Sequence, residues 1–356
     1  MTPPADPSQR LALSRIPFES LSPRVRRVLD GVDDLLVYSA PMSVRFRRVT
    51  SRDGLLLHGV SAWGEASPFW DYAARESSAW LASALRAAMT PAPPAKRSQV
   101  PVNVTIPVVS PEDAYRKVLA SGGCATAKVK VADPGAGPAD DCARVEAVAQ
   151  ALADTVGSSG AVRVDANGAW DEDEAVRAIR ALDEAASPVG GLQYAEQPCP
   201  SVDELARVRR RVDVPIAADE SIRRAEDPLA VARACAADIA VIKIAPLGGI
   251  DRALSIARDT GLRLVVSSAL ETSIGLATGV SAAAALDDVL ACGLATSRFL
   301  AADVTADRLT PVNGHLPLRA IAPDADLIDQ HPVDEDLRRR WTVRLEDMCA
   351  HIEGAR

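Results

Sequence analysis

Val162-Arg-Val-Asp-Ala-Asn-Gly-Ala-Trp170 decides how this chain is read. Val162, Val164 and Ala166 alternate with Arg163 and Asp165, the period-2 pattern of a β-strand. The acidic run Asp171-Glu-Asp-Glu174 ahead of Ala175 suits the positive N-terminal end of a helix. Asp165 is therefore expected at the carboxyl end of a strand. Leu192-Gln-Tyr-Ala-Glu196 stops in the same way at Gln197-Pro198, and Pro215-Ile-Ala-Ala-Asp219 runs on into Glu220-Ser221. Three strand ends each present a carboxylate.

Working outward, short apolar runs alternate with amphipathic stretches. Strands are expected at 102–109, 126–131, 162–166, 192–196, 215–219, 239–244, 262–268 and 292–296, with seven helices between them. Such alternation implies a parallel sheet in an α/β fold, and a closed TIM-like barrel suits so many strands better than an open doubly wound sheet. No G-x-G-x-x-G follows the first strand, which removes the main support for a dinucleotide site. Upstream, 35–38, 43–49 and 54–58 read as strands, with Ser51-Arg-Asp-Gly54 as a hairpin turn, and 73–88 as a helix. Thr90-Pro-Ala-Pro-Pro-Ala95 cannot continue that helix, because proline lacks the amide donor. The division expected is an α+β unit over 1–98, a barrel over 99–310, and a tail over 311–356 that packs back on the N-terminal sheet. Residues 1–30 read as a partly disordered extension, with 1–9 unstructured.

Composition narrows the function classes. With 356 residues, 48% of them hydrophobic, the chain can bury a large core. No run approaches a membrane span, and the N-terminal residues lack the pattern of a signal peptide, so the cytoplasm is the expected location. A net charge of -8 argues against a nucleic-acid partner. Arg24, Arg26, Arg27, Arg45, Arg47, Arg48 and Arg52 cluster near the N-terminus, as a solvated face or as a field that steers an anionic substrate. No histidine falls between His58 and His315, which disfavours a His-ligated zinc or a His base in the middle of the chain. The six cysteines form no C-x-x-C pair and read as small buried side chains.

In a barrel, groups at the carboxyl ends of strands face one site. Asp165, Glu196 and Asp219 lie about one strand–helix unit apart and are expected to converge there. Three unpaired carboxylates repel, so a hard divalent cation is expected among them, magnesium first, with manganese as a possible substitute. A single such carboxylate could as well cap the next helix; three in succession fit that account poorly. Lys128 and Lys130 are two apart on the preceding strand and share a face, and Lys243 is a charge inside the apolar run Val241-Ile-Lys-Ile244. A metal flanked by two ammonium groups suits removal of a proton next to a substrate carboxylate. The base must be neutral, and a second cation, Lys128 beside Lys130, favours that state.

Together, Lys128-Val-Lys130, Val164-Asp-Ala-Asn-Gly168, Glu196-Gln-Pro198, Ala218-Asp-Glu-Ser221 and Lys243-Ile-Ala-Pro-Leu-Gly-Gly249 resemble the enolase superfamily, in its muconate-lactonising-enzyme-like subgroup. Val44-Arg-Phe-Arg47, Trp63-Gly-Glu65, Ser67-Pro-Phe69 and Ser267-Ser-Ala-Leu-Glu-Thr-Ser-Ile-Gly275 are similar to the o-succinylbenzoate synthases of actinobacterial type. The resemblance implies a (β/α)7β barrel under an α+β capping domain. It also implies dehydration of 2-succinyl-6-hydroxy-2,4-cyclohexadiene-1-carboxylate to o-succinylbenzoate in menaquinone synthesis. By analogy Lys130 is the acid–base group, Lys243 stabilises the enediolate, and Asp165, Glu196 and Asp219 hold magnesium. Lys128, Asn167 and Glu220 support that set, while Arg45, Arg47, Ser267 and Ser268 are candidates for the dianionic substrate. Helix capping is an equal alternative for the two serines. The rival activities are N-succinylamino acid racemisation and dipeptide epimerisation, which use the same two lysines. An inactive barrel kept as a binding protein is the rival from another class, disfavoured because buried charges are costly without a task.

Overall fold

The structure, a computed structural model, describes residues 10–46, 49–224 and 227–352, with the side chains of 44–46 left aside. The chain begins with strand β1 (Ala12–Arg15) and helix α1 (Pro23–Val28), then an antiparallel sheet continues through β2 (Asp34–Phe46), β3 (Val49–His58) and β4 (Trp63–Ala66). Helix α2 (Ala74–Met89) covers the sheet, and β5 (Gln99–Pro101) leads into the parallel part. There follow β6 (Asn103–Ile106), α3 (Pro111–Leu119), β7 (Thr126–Lys130), α4 (Pro138–Val156), β8 (Ala161–Asp165), α5 (Glu172–Ala185), β9 (Leu192–Glu196) and α6 (Val202–Arg209). The succession ends with β10 (Ile216–Ala218), the short α7 (Glu220–Arg223) and α8 (Ala230–Arg233), β11 (Ile239–Lys243), α9 (Ile250–Thr260), β12 (Arg263–Ser267) and α10 (Ser273–Ala284). β13 (His315–Pro317) pairs with β5, and α11 (Glu335–Ile352) closes the chain.

Strands β6 to β12 form one parallel seven-stranded sheet in sequential order. Period-2 alternation governs it. Val162, Val164, Ala195, Ile216, Ala218, Ala240 and Ile242 pack into the main core, whereas Tyr194, Ala217, Ile239, Val241 and Val265 form a second cluster on the other face. The eighth strand expected at 292–296 is reduced to isolated bridges, from Cys292 to Val102 and from Gly293 to Ser267. At Gly293 an added Cβ would fall 2.5 Å from Ser267 Oγ, so this close crossing needs glycine.

The N-terminal sheet is buried on both faces, which explains the unbroken run Leu55-Leu-Leu57. Leu36, Tyr38 and Leu56 belong to the main core, while Leu35, Val37, Leu55 and Leu57 pack with Trp341, Leu345 and Met348 of α11. The expected hairpin turn is corrected here. Ser51-Arg-Asp-Gly54 is not a turn but the middle of β3, with Arg52 opposite Ala40 and Gly54 opposite Tyr38. Its polar residues are satisfied far away in sequence. Arg52 donates to the carbonyls of Ser67 and Leu270, and Asp53 accepts the indole N–H of Trp70 and of Trp341. Arg52 is therefore buried, not part of a steering surface. The N-terminal extension is described in part. Residues 1–9 lie outside the described residues, but the stretch from Leu11 is ordered, with Leu13, Ile16, Leu21 and Val25 buried. Leu13 N–H donates to the His331 carbonyl, and Asp329 N–H donates to that of Leu13, so β1 is laced to the segment before α11.

Glu65 joins the N-terminal sheet to the parallel part. Its buried carboxylate accepts from Tyr38 Oη, Ser67 Oγ, the Thr272 hydroxyl and amide, and the Gly275 amide. Glu65→Ala strands those donors, and we expect a loss of about 3 kcal/mol or more of stability. Urea denaturation followed by circular dichroism measures it; an unchanged midpoint would show that the carboxylate does not hold these parts together.

Candidate active site

Each expected strand-end residue finds a local cause. β8 delivers Asp165 into a turn with Asn167 at φ 50 and Gly168 at φ 75, and α5 then starts with a reciprocal cap between Asp171 and Glu174. Lys130, Asp165 and Glu196 are register neighbours on β7, β8 and β9. After Glu196 the backbone of Gln197 turns left-handed at φ 42, and its fully buried amide braces the next strand end. Gln197 Oε1 accepts from the Asp219 and Ser221 amides, and Nε2 donates to Ser221 Oγ and the Cys199 carbonyl. The sequence reading missed Gln197, although its place directly after Glu196 was the available signal.

The carboxylates are buried, each about 1% exposed, but they are not the unpaired trio expected. Lys128 Nζ bridges Asp165 at 3.0 Å and Glu196 at 2.9 Å, and Lys130 Nζ donates to Asp165 at 2.5 Å and to Asn167 Oδ1 at 2.7 Å. Lys243 Nζ lies 2.5 Å from Asp219 Oδ2, and Arg223 Nε lies 2.8 Å from Asp219 Oδ1. Among the described residues no three His, Cys, Asp or Glu side chains are grouped as a ready-made ligand set. The reason is electrostatic, since each carboxylate draws in a cationic side chain that offsets its burial.

The charges shape one another. Burial alone would raise Asp165, but Lys128 and Lys130 hold it well below the usual carboxylate range. Asp219 is lowered likewise, its burial outweighed by Lys243 and Arg223. Lys128 is held well above its usual value, because Asp165 and Glu196 outweigh its desolvation. Glu196 differs. Burial pushes it up to about 7, with Asp165 and Asp219 adding repulsion that Lys128 does not cancel. An all-oxygen set with one under-compensated carboxylate fits a hard divalent cation.

A cavity beside these groups is lined by Lys130, Lys243, Ser267, Ser268, Thr105 and Phe69. Three strands separate β7 from β11, so Lys130 and Lys243 face it from different sides. The serines do not cap a helix, since Thr272 caps α10; Ser268 Oγ pairs with Thr296 Oγ1 and accepts from the Leu270 amide. Phe69, one of the residues lining this cavity, stacks under Arg52 at 4.0 Å. Asn167 Nδ2 donates to Glu220 Oε1, which places both expected supporting residues at the edge of the site. Arg45's side chain and the whole of Arg47 lie outside the described residues, as does Arg48. Four cysteines are buried as expected, but Cys142 is half-buried and Cys235 exposed.

Comparison with known proteins agrees with this layout. The model described as enolase C-terminal domain-like matches residues 112–324, and the enolase N-terminal domain-like model matches 37–88. The chain belongs to the enolase superfamily. Among enolase-superfamily relatives, it is 53% identical over 309 residues to a protein of Thermobifida fusca named o-succinylbenzoate synthase, covering 86% of this chain and 93% of that one. A protein of the same name from Mycolicibacterium smegmatis is 48% identical, over 88% of this chain and 96% of its own. Among solved superfamily structures, the L-Ala-D/L-Glu epimerase of Bacillus subtilis superposes with a TM-score of 0.67 at 22% identity, covering 88% of this chain and 97% of its own. The muconate cycloisomerase of Pseudomonas fluorescens gives 0.64 at 24% identity, with 82% and 94% covered. These likenesses speak for the fold. No described helix is long and apolar enough to cross a membrane.

Proposed function

We propose that this chain is an o-succinylbenzoate synthase, a hydro-lyase that dehydrates 2-succinyl-6-hydroxy-2,4-cyclohexadiene-1-carboxylate to o-succinylbenzoate for menaquinone synthesis. What carries the reading is the pair Lys130 and Lys243 on separate sides of one cavity, each bonded to a buried carboxylate, in a chain about half identical to proteins of that name. Residues 99–310 form the catalytic (β/α)7β barrel, with 292–293 closing the sheet, and 1–98 with 311–356 form the cap.

Asp165, Glu196 and Asp219 would hold magnesium, with manganese as a substitute. When bound, the metal supplies positive charge to the substrate carboxylate as the neighbouring carbon loses its proton. Lys130, in its neutral form after its own ammonium proton has left, takes that proton, and the ammonium so formed then donates to the departing hydroxide on the same face, so the proton count closes with water as product. Lys243 remains an ammonium throughout and offsets charge from the other side. Asn167 and Glu220 hold Lys130 in line, and Lys128 keeps Asp165 and Glu196 oriented. Ser267 and Ser268 offer hydroxyls to the succinyl carboxylate, and Phe69 excludes water.

Purified protein and magnesium incubated with the cyclohexadiene substrate should release o-succinylbenzoate. Racemisation of an N-succinylamino acid without dehydration would replace this reading by the racemase one. The cap is expected to set selectivity. In the sequence Arg45 and Arg47 flank Phe46. Changing either to Ala should raise KM for the dianion about tenfold while kcat changes less. Steady-state kinetics in which both variants keep the original KM would return these arginines to solvent.

A further inference from the structure

Arg223 occupies a junction that neither lysine reaches by itself. Its side chain, only 3% exposed, follows β10 on α7 and spreads its fork over three partners. Nε donates to Asp219 Oδ1 at 2.8 Å, Nη2 to Glu220 Oε1, and Nη1 to Tyr72 Oη at 2.6 Å. From Glu220 Oε1 the contacts run through Asn167 at 3.3 Å to Lys130 at 2.7 Å; from Asp219 they run through Oδ2 to Lys243 at 2.5 Å. One guanidinium thus stands between both lysines.

Tyr72 comes from the other part of the molecule. It lies between β4 and α2, its ring stacked on Phe69 at 6.4 Å and edge-on to Trp80 at 6.0 Å. Arg344 of α11 donates to the carbonyls of both Phe69 and Tyr72, and the Arg224 guanidinium covers the Tyr72 ring at 4.8 Å. The segment that contributes Phe69 to the cavity lining therefore also holds the far end of Arg223.

We infer that Arg223 is a positioning residue through which the segment around Tyr72 sets the orientation of Asp219 and Asn167, and so of both lysines. The inference rests on the roles given above to Lys130 and Lys243. Only a planar fork with several N–H directions can satisfy Asp219, Glu220 and Tyr72 together; a lysine is a point charge on a flexible stem.

Tyr72→Phe deletes one acceptor oxygen and keeps the ring, and Arg223→Lys keeps the charge and deletes the fork. In each, kcat should fall about tenfold or more while KM stays within about twofold. The double variant should be no slower than Arg223→Lys alone, since both changes break one connection. Magnesium titrated calorimetrically into substrate-free protein should bind about threefold or more weakly in both single variants, because Asp219 is no longer held. That arm needs no turnover, so it decides the matter even if the assigned reaction is wrong. Unchanged kcat and unchanged magnesium affinity, with only the melting temperature lowered, would reduce Arg223 to a structural brace and overturn the inference. So would additive losses in the double variant.

Discussion

Lys130→Ala is expected to stop both dehydration and exchange of the substrate's alpha proton with deuterated water. Lys130 lines the cavity, and its bonds to Asp165 and Asn167 fix its Nζ in place. No histidine lies between His58 and His315 to take its place. Lys243 should behave differently. As a fixed cation that never accepts the proton, it can be replaced by Arg with a residue of activity left. A displaced stabilising charge in a dry site forfeits about 3 kcal/mol, near a hundredfold in rate. Lys130→Arg should retain nothing, because an arginine cannot shed its proton. A racemase would give another pattern, each substitution blocking one hand of the substrate and sparing exchange on the other. Exchange that persists in Lys130→Ala would remove it as the base.

Chelation should abolish turnover, and Asp165→Asn, Glu196→Gln and Asp219→Asn should each weaken magnesium binding. Each swap removes one charge at nearly constant volume, and each removes it from a buried network. Asp165 offers the clearest case. It accepts from both Lys128 and Lys130, so the amide would leave two ammonium groups facing a neutral side chain. Losing a buried charge partner costs about 3 kcal/mol or more of stability, and losing an anionic ligand should weaken magnesium binding about tenfold or more. Calorimetric titration of the three variants tests this, and full activity of a metal-free preparation would refute the metal assignment itself.

What the sequence disclosed was whatever depends on local period. Asp165, Glu196 and Asp219 announce themselves because a two-residue alternation ends at each and a helix pattern follows. Lys243 stands out because a charge in an apolar strand contradicts its surroundings. What stayed hidden depends on partners distant in the chain. Ser51-Arg-Asp-Gly54 has the composition of a turn, but it pairs with β2, and distant partners such as the carbonyl of Leu270 and the indole of Trp341 satisfy its polar residues. Arg223 and Tyr72 show no local pattern, since their meaning lies in a contact across 151 residues. The pairing of each carboxylate with a cation was invisible for the same reason. Spacing says which residues share a mouth, but not which ammonium settles on which oxygen.

The lacing of residues 329–333 onto β1, and of Trp341 and Leu345 onto β2 and β3, has a bearing on how this chain is made. On the ribosome the first sheet emerges early, with Leu35, Val37, Leu55 and Leu57 presenting an oily face. The helix α11 that completes its cover follows the whole parallel sheet in the chain, whereas α1 and α2, which pack on the same face, precede that sheet. Throughout synthesis of the parallel sheet that face has only α1 and α2 against it, without Trp341, Leu345 and Met348, a period in which nascent chains are open to aggregation or chaperone capture. A ribosome that stalls before α11 would release a chain with every strand of the parallel sheet present and the face of its first sheet only partly covered.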